Sequence, residues 1–287
     1  MCEMSVRGRA IVSTENAIAN YWATGDVYAL IVEALRKAGK PLDQLTLPDL
    51  APVDHYHARG FQATVELADR LTIGPDDHIL DIGCGLGGPA RYFAIRFGCK
   101  VSGIDITPPF VDAARKLTAL LHLESQVEIA QGDGQHLPYA GGVFDGALTQ
   151  HVTMNVADRP GFFREAYRIL KPGAFFALTE HGMGPNANPH YPAPWSLDGG
   201  GSFLATPSES RVFLDAVGFR DIVVENTGEK YLAAYKQGMA LAASGAMPAL
   251  GIHMLAGERG AEKMRNAARN IEEGRTQPVQ VICRKPA

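Results

Sequence analysis

Leu80-Asp81-Ile82-Gly83-Cys84-Gly85-Leu86-Gly87-Gly88-Pro89-Ala90-Arg91 is the stretch whose reading decides the fold. An apolar run ends in an acid, passes through four closely spaced glycines and opens an amphipathic segment with a proline in its first turn. That is the pattern of a strand, a tight turn and a helix start. Glycines let the backbone turn sharply and approach a ligand, and a helix N-terminus carries N–H donors and positive potential, so the turn suits a ligand with an anionic group. Taken alone, Gly83-x-Gly85-x-x-Gly88 suits a nicotinamide dinucleotide equally well.

Downstream of Gly74 short apolar runs alternate with amphipathic helices, which predicts an α/β domain built on a parallel sheet with crossover helices. Strands are expected at 78–83, 101–105, 127–130, 143–149 and 174–180, with helices near 88–97, 109–122 and 159–170. Two later strands, 221–227 and 278–285, are separated by about fifty residues of mostly helical pattern; if they pair, that connection crosses one end of the sheet. Upstream, 13–38 reads as a helix stopped by Gly39 and Pro41, 45–54 as a short loop, and Asp54 at its end as the N-cap of a helix reaching about Leu71. The segment 181–207 carries Pro185, Pro189, Pro192, Pro194 and Pro207 and reads as a long loop, a kind that is usually functional. The expected organisation is therefore a helical cap over 1–72 and a sheet domain over 73–287, with lid insertions at about 181–207 and 228–277.

Composition narrows the function classes. Of 287 residues 46% are hydrophobic and 20% charged, with a net charge of −4, an acidic balance that argues against a nucleic-acid partner. Cys2, Cys84, Cys99 and Cys283 are scattered without C-x-x-C spacing, which predicts free thiols in a reducing, cytoplasmic setting. No apolar run follows the N-terminus, so no secretory signal is read there. Gln237 to Gly257 is an uncharged run, but its glycines, Pro248 and alanines exclude a membrane span, and it reads as buried or as lining a pocket. No metal site is expected: His55 and His57 diverge on a helix and no H-x-x-x-H pair exists. No motif bears on oligomeric state.

Three acids sharpen the glycine turn. Asp81, two residues before the first glycine, suits a ligand ammonium; Asp105 ends the next strand where an acid bonds a ribose diol; Asp133, in Gln131-Gly132-Asp133-Gly134-Gln135, suits an exocyclic adenine amine. The sequence D-x-G-x-G-x-G, then Gly103-Ile104-Asp105, Gly132-Asp133-Gly134, Phe144-Asp145-Gly146-Ala147 and Leu170-Lys171-Pro172-Gly173-Ala174 resembles the successive motifs of the class I S-adenosylmethionine-dependent methyltransferases over roughly residues 75–182. The resemblance implies a Rossmann-like seven-stranded, mostly parallel sheet and methyl transfer that leaves S-adenosylhomocysteine. It implies that Asp81 with Gly83, Gly85 and Gly87 holds the methionine end of the cofactor. Asp105 would take the ribose and Ile106 the adenine face, with Asp133, Gly134 and Gln135 around the adenine amino edge. Arg91 is either a partner of the cofactor carboxylate or a surface arginine; Tyr21 is either a residue that closes over the cofactor or a core tyrosine.

Within that superfamily LDIGCGLGGPARYFA is similar to the small-molecule branch containing sarcosine/dimethylglycine N-methyltransferases, tocopherol-type and quinone methyltransferases. Tyr21 to Gly25 and Leu50 to Gly60 look most like the first of these, which implies a small-molecule acceptor, an amine nitrogen first, then ring carbon or oxygen. Residues expected near the transferred methyl are Gln150 and His151 after the fourth strand and Glu180 and His181 after the fifth. Gln150 also borders the cofactor. Each histidine reads either as a group that handles an acceptor proton or as a strand-end cap. Trp22, Tyr191, Trp195 and Phe203 are expected in a lid, either lining it or anchoring it.

Overall fold

The computed structural model describes Trp22 and residues 25–57, 59–257 and 259–287; Tyr21 lies outside the described residues. From Gly25 onward the described residues open with three helices, α1 (Val27–Lys37), α2 (Leu47–Asp54) and α3 (Gly60–Ala68). Asp26 caps α1 by accepting from Ala29 N at 2.9 Å, and the helix carries Arg36 and Lys37 in its last turn, where cations complement the helix dipole. Its apolar stripe of Val27, Ile31 and Leu35 is buried against Leu50, Leu86, Phe110 and Leu117.

Seven strands follow: β1 (His78–Ile82), β2 (Lys100–Asp105), β3 (Val127–Gln131), β4 (Phe144–Gln150), β5 (Leu170–Met183), β6 (Arg220–Asn226) and β7 (Thr276–Arg284). They form one sheet in the order β3-β2-β1-β4-β5-β7-β6, in which only β7 runs antiparallel to its neighbours. Along β1 the alternation is visible in the packing. Leu80 and Ile82 join Phe144, Phe162 and Phe176 on one face, and Ile79 joins Phe93, Val101 and Ile129 on the other. Helices cover both faces: α4 (Gly88–Phe97), α5 (Pro108–Leu120), α6 (Arg159–Ile169) and α7 (Pro207–Val217), with α8 (Gly228–Ala243) and α9 (Gly260–Glu272) inserted between β6 and β7. The chain turns in opposite directions from β1 and β4, which opens a crevice at their carboxyl ends, the usual ligand position in such sheets.

Four local expectations change. Residues 47–54, read as loop, form α2: Pro48 sits in its first turn, where a missing N–H costs nothing, and the Asp49 carboxylate accepts from Thr46 N at 2.9 Å. Asp54 therefore ends a helix instead of starting one, and α3 begins only at Gly60. β5 continues three residues past Glu180 because β7 gives it an antiparallel partner as far as Met183. The uncharged run after Gln237 is largely exposed up to Ala249 and only Leu250, Gly251 and Leu255 are buried, the two leucines against the N-terminal helices. Among the described residues no helix is long and apolar enough to cross a membrane.

Candidate active site

The crevice is a pocket enclosing about 1060 Å³ of empty space, its open mouth included. Its floor is the glycine turn. Gly83 adopts φ +75° and packs so closely on Val152 that a Cβ there would overlap the valine side chain; a Cβ on Gly88 would overlap the backbone of Asp54. Asp81, next to last in β1, has 1% of its surface exposed. It accepts from Ala90 N–H in the first turn of α4, so that donor of the helix N-terminus is already taken, while its Oδ2 has no partner. Burial, reinforced by the neighbouring Asp105, pushes the Asp81 carboxyl up to about 8.

Asp105 is fixed by two backbone donors, Gly85 N to Oδ2 at 2.8 Å and Thr107 N to Oδ1 at 2.9 Å, and burial raises its carboxyl as well. Asp133 closes an Asx turn by accepting from Gln135 N at 2.8 Å. With Ile106, Gly134 and Gln135 these acids border the pocket at the ends of β1, β2 and β3.

The opposite wall comes from β4 and from the N-terminal helices. Gln150 is buried: its Oε1 accepts from Thr64 Oγ1 at 3.0 Å, which leaves Nε2 as an unpartnered donor. Thr64 lies 3.0 Å from His55 Nδ1 and 3.4 Å from His57 Nε2, so one hydroxyl organises three polar side chains. His57 stacks on His151, ring centroids 5.4 Å apart and planes 5° from parallel. Burial, then the adjacent His181 and His57, push His151 well below the ordinary histidine range, so it is neutral. Trp22, Tyr56 and Phe110 form successive edge-to-face contacts along the pocket wall, and Tyr56 Oη donates to Leu255 O at 2.9 Å.

The structure thus gathers Asp81, Gly83, Gly85, Asp105, Ile106, Asp133, Gly134, Gln135, Gln150 and His151 around one space. It moves three expected residues out of it. Gly87 shapes the turn from behind, with φ +76° as the N-cap of α4. Arg91 is neither a cofactor contact nor a surface residue: it is fully buried, donating to Asp54 Oδ2 at 2.8 Å, Leu86 O at 2.7 Å and Thr118 Oγ1 at 3.0 Å. His181 stands behind His151, stacked on Trp195 at 4.8 Å and 3.1 Å from Tyr235 Oη, because β5 carries it onward into the sheet.

Glu180 is a structural hub, accepting from Arg159, Thr153 and Ser210. Trp195 and Tyr191 anchor the lid: Trp195 is 1% exposed, and both donate to Ser202 Oγ at 2.9 Å. Phe203 fixes the same loop through its N–H to Met154 O at 2.7 Å. Residues the sequence did not single out here are His57, Thr64, Tyr56 and Phe110, brought in from elements whose pairing no local spacing records.

Residues 80–178 match the family model described as a methyltransferase domain. The sarcosine/dimethylglycine N-methyltransferase of Halorhodospira halochloris is 34% identical over 119 residues, 41% of this chain and 43% of that protein. The chain spans about half the length of the curated relatives it matches. Among solved structures, phosphoethanolamine N-methyltransferase 2 of Haemonchus contortus, in complex with phosphomonomethylethanolamine and S-adenosylhomocysteine, superposes with a TM-score of 0.70 at 19% identity, covering 82% of this chain and 55% of that one. Geranyl diphosphate C-methyltransferase of Streptomyces coelicolor A3(2) gives 0.68 at 19% identity, covering 95% and 97%. The chain shares the fold of these two solved structures, and its segment 80–178 is similar in sequence to a methyltransferase domain.

Proposed function

We propose that this chain transfers a methyl group from S-adenosylmethionine to a small-molecule acceptor, with an amine nitrogen as the acceptor atom. The observation that carries the reading is the buried Asp81 carboxyl, one oxygen unpartnered, in a pocket it shares with Asp105 at the end of β2 and Asp133 after β3. An α-ammonium is the group that such an oxygen lacks. Asp105, held by two backbone donors, keeps lone pairs for a ribose diol; Asp133, Gly134 and Gln135 border the space for an adenine edge, with Ile106 and Phe162 as its apolar sides. The residues present therefore fit the cofactor, which when bound supplies an electrophilic methyl on a sulfonium.

The protein's own work is alignment and exclusion of water. Holding two reactants in a near-attack geometry contributes roughly 7–11 kcal/mol, and an amine that arrives neutral needs no strong base. The neutral His151, the donor Nε2 of Gln150 and the stacked His57 orient the acceptor, while Trp22, Tyr56 and Phe110 line the pocket wall. The 34% identity to a sarcosine/dimethylglycine N-methyltransferase supports nitrogen. The aromatic wall favours a second reading, C- or O-methylation of a ring. Three buried free thiols, Cys84, Cys99 and Cys283, support a reducing compartment such as the cytoplasm.

Calorimetry with S-adenosylhomocysteine and with NADH tests the cofactor, and labelled methyl transfer to amines, phenols and quinols tests the acceptor. Binding of NADH with no response to S-adenosylhomocysteine refutes the proposal; label confined to phenols or quinols replaces nitrogen by the second reading.

A further inference from the structure

The inserted helices deliver a tyrosine to His151. Tyr231, near the start of α8 and 80 residues along the chain from His151, is buried and places its Oη 2.7 Å from His151 Nε2. The His151 ring is clamped from other sides as well. His57 stacks on one face, and His181 meets it at a centroid distance of 5.4 Å and 64°. Its backbone takes φ +58°, uncommon for a residue with a side chain, and its N–H donates to Thr179 O at 2.8 Å. A ring held in this way has one orientation, and since burial keeps it neutral it carries a single proton.

Tyr231 is itself anchored. It packs with Ala267 and Ala268 of α9, and the Arg59 guanidinium lies 5.6 Å over its ring. Burial raises its phenol well above the ordinary range, so the hydroxyl stays protonated; with its hydrogen turned to the neighbouring Thr179 Oγ1, a buried oxygen with no other partner, its own oxygen is available as an acceptor.

We propose that Tyr231 is a positioning residue for the methyl transfer: its Oη accepts Nε2–H of His151, which leaves the Nδ1 lone pair to receive an N–H or O–H of the acceptor. The inference rests on the function proposed above and narrows it. The acceptor so held carries a hydrogen on its reacting atom, so a primary or secondary amine fits and a tertiary amine does not. No proton needs to leave before the methyl arrives; the hydrogen bond from the acceptor aims its remaining lone pair.

The test uses the full chain labelled with ¹⁵N in histidine. In the wild type His151 should show a protonated Nε2 and an unprotonated Nδ1, and Tyr231→Phe should give a mixture of the two tautomers. On a secondary amine that the enzyme methylates, Y231F should lower kcat roughly tenfold to a hundredfold with unchanged affinity for S-adenosylhomocysteine, a displaced reactant costing about that much. His151→Asn, whose Oδ1 stands near the position of Nδ1 and whose backbone tolerates the left-handed region, should keep part of the activity and make it insensitive to Y231F.

A protonated Nδ1 in the wild type overturns the proposal, as does Y231F with unaltered tautomer and kcat, or faster turnover of tertiary than of secondary amines. Should Y231F fail to fold, the wild-type tautomer decides alone. If no acceptor of any class gains label, the function reading fails, and the tautomer still reports separately on the Tyr231–His151 contact.

Discussion

Asp81 is buried beside Asp105, so the ligand-free site keeps a proton that a cationic ligand displaces. Binding of S-adenosylhomocysteine below about pH 8 should therefore release a proton, and the release should fade above that; calorimetry in buffers of different ionisation enthalpy measures it. Asp81→Asn should fold normally and weaken that binding by about 1.5–3 kcal/mol, the range of a charge-assisted hydrogen bond, and Asp105→Ala should do the same; unchanged affinity removes the residue from the site. These acids were legible because each stands at the carboxyl end of a strand at a readable spacing. Arg91 was not. Its partner Asp54 lies 37 residues earlier in a helix that the sequence presents as a loop, and nothing in the local pattern of either segment records the pairing.

Between elements, the Asp54–Arg91 pair fastens α2 to α4 with both side chains fully buried. Asp54→Ala leaves the guanidinium without a counter-charge and should lower stability by about 3–5 kcal/mol in urea unfolding. The lid is fastened differently: Asn155 Nδ2 donates to Trp195 O at 3.0 Å and to Gly201 O at 2.7 Å. Asn155→Ala should expose those carbonyls and speed amide exchange across 195–202 while β1 and β4 stay protected. The strands were legible because parallel strands covered on both faces read as short apolar runs, whereas α2 was hidden by Pro48 and Pro52, which look like breakers until their positions in the helix are known. The uncharged run after Gln237 misled for another reason: lack of charge in alanine- and glycine-rich sequence is no measure of burial.

For the whole molecule, the raised Asp81 carboxyl sets a pH dependence whose sign is fixed. The folded state holds that proton more tightly than the unfolded chain, so its stabilisation is complete below about pH 4 and is lost as pH rises through about 8. Ligand-free protein should accordingly lose Tm across that interval, and the Tm gain from saturating S-adenosylhomocysteine should be larger at pH 8 than at pH 6, as thermal scans with and without ligand would show. The sheet order has a consequence for biosynthesis. β6 pairs only with β7, which is encoded about fifty residues later. While the ribosome makes α8 and α9, β6 waits with both edges open, and Tyr231 has no finished sheet to dock on. Nascent chains arrested before Thr276 should remain cleavable by protease at 220–226, and the sheet should complete only after translation has passed β7.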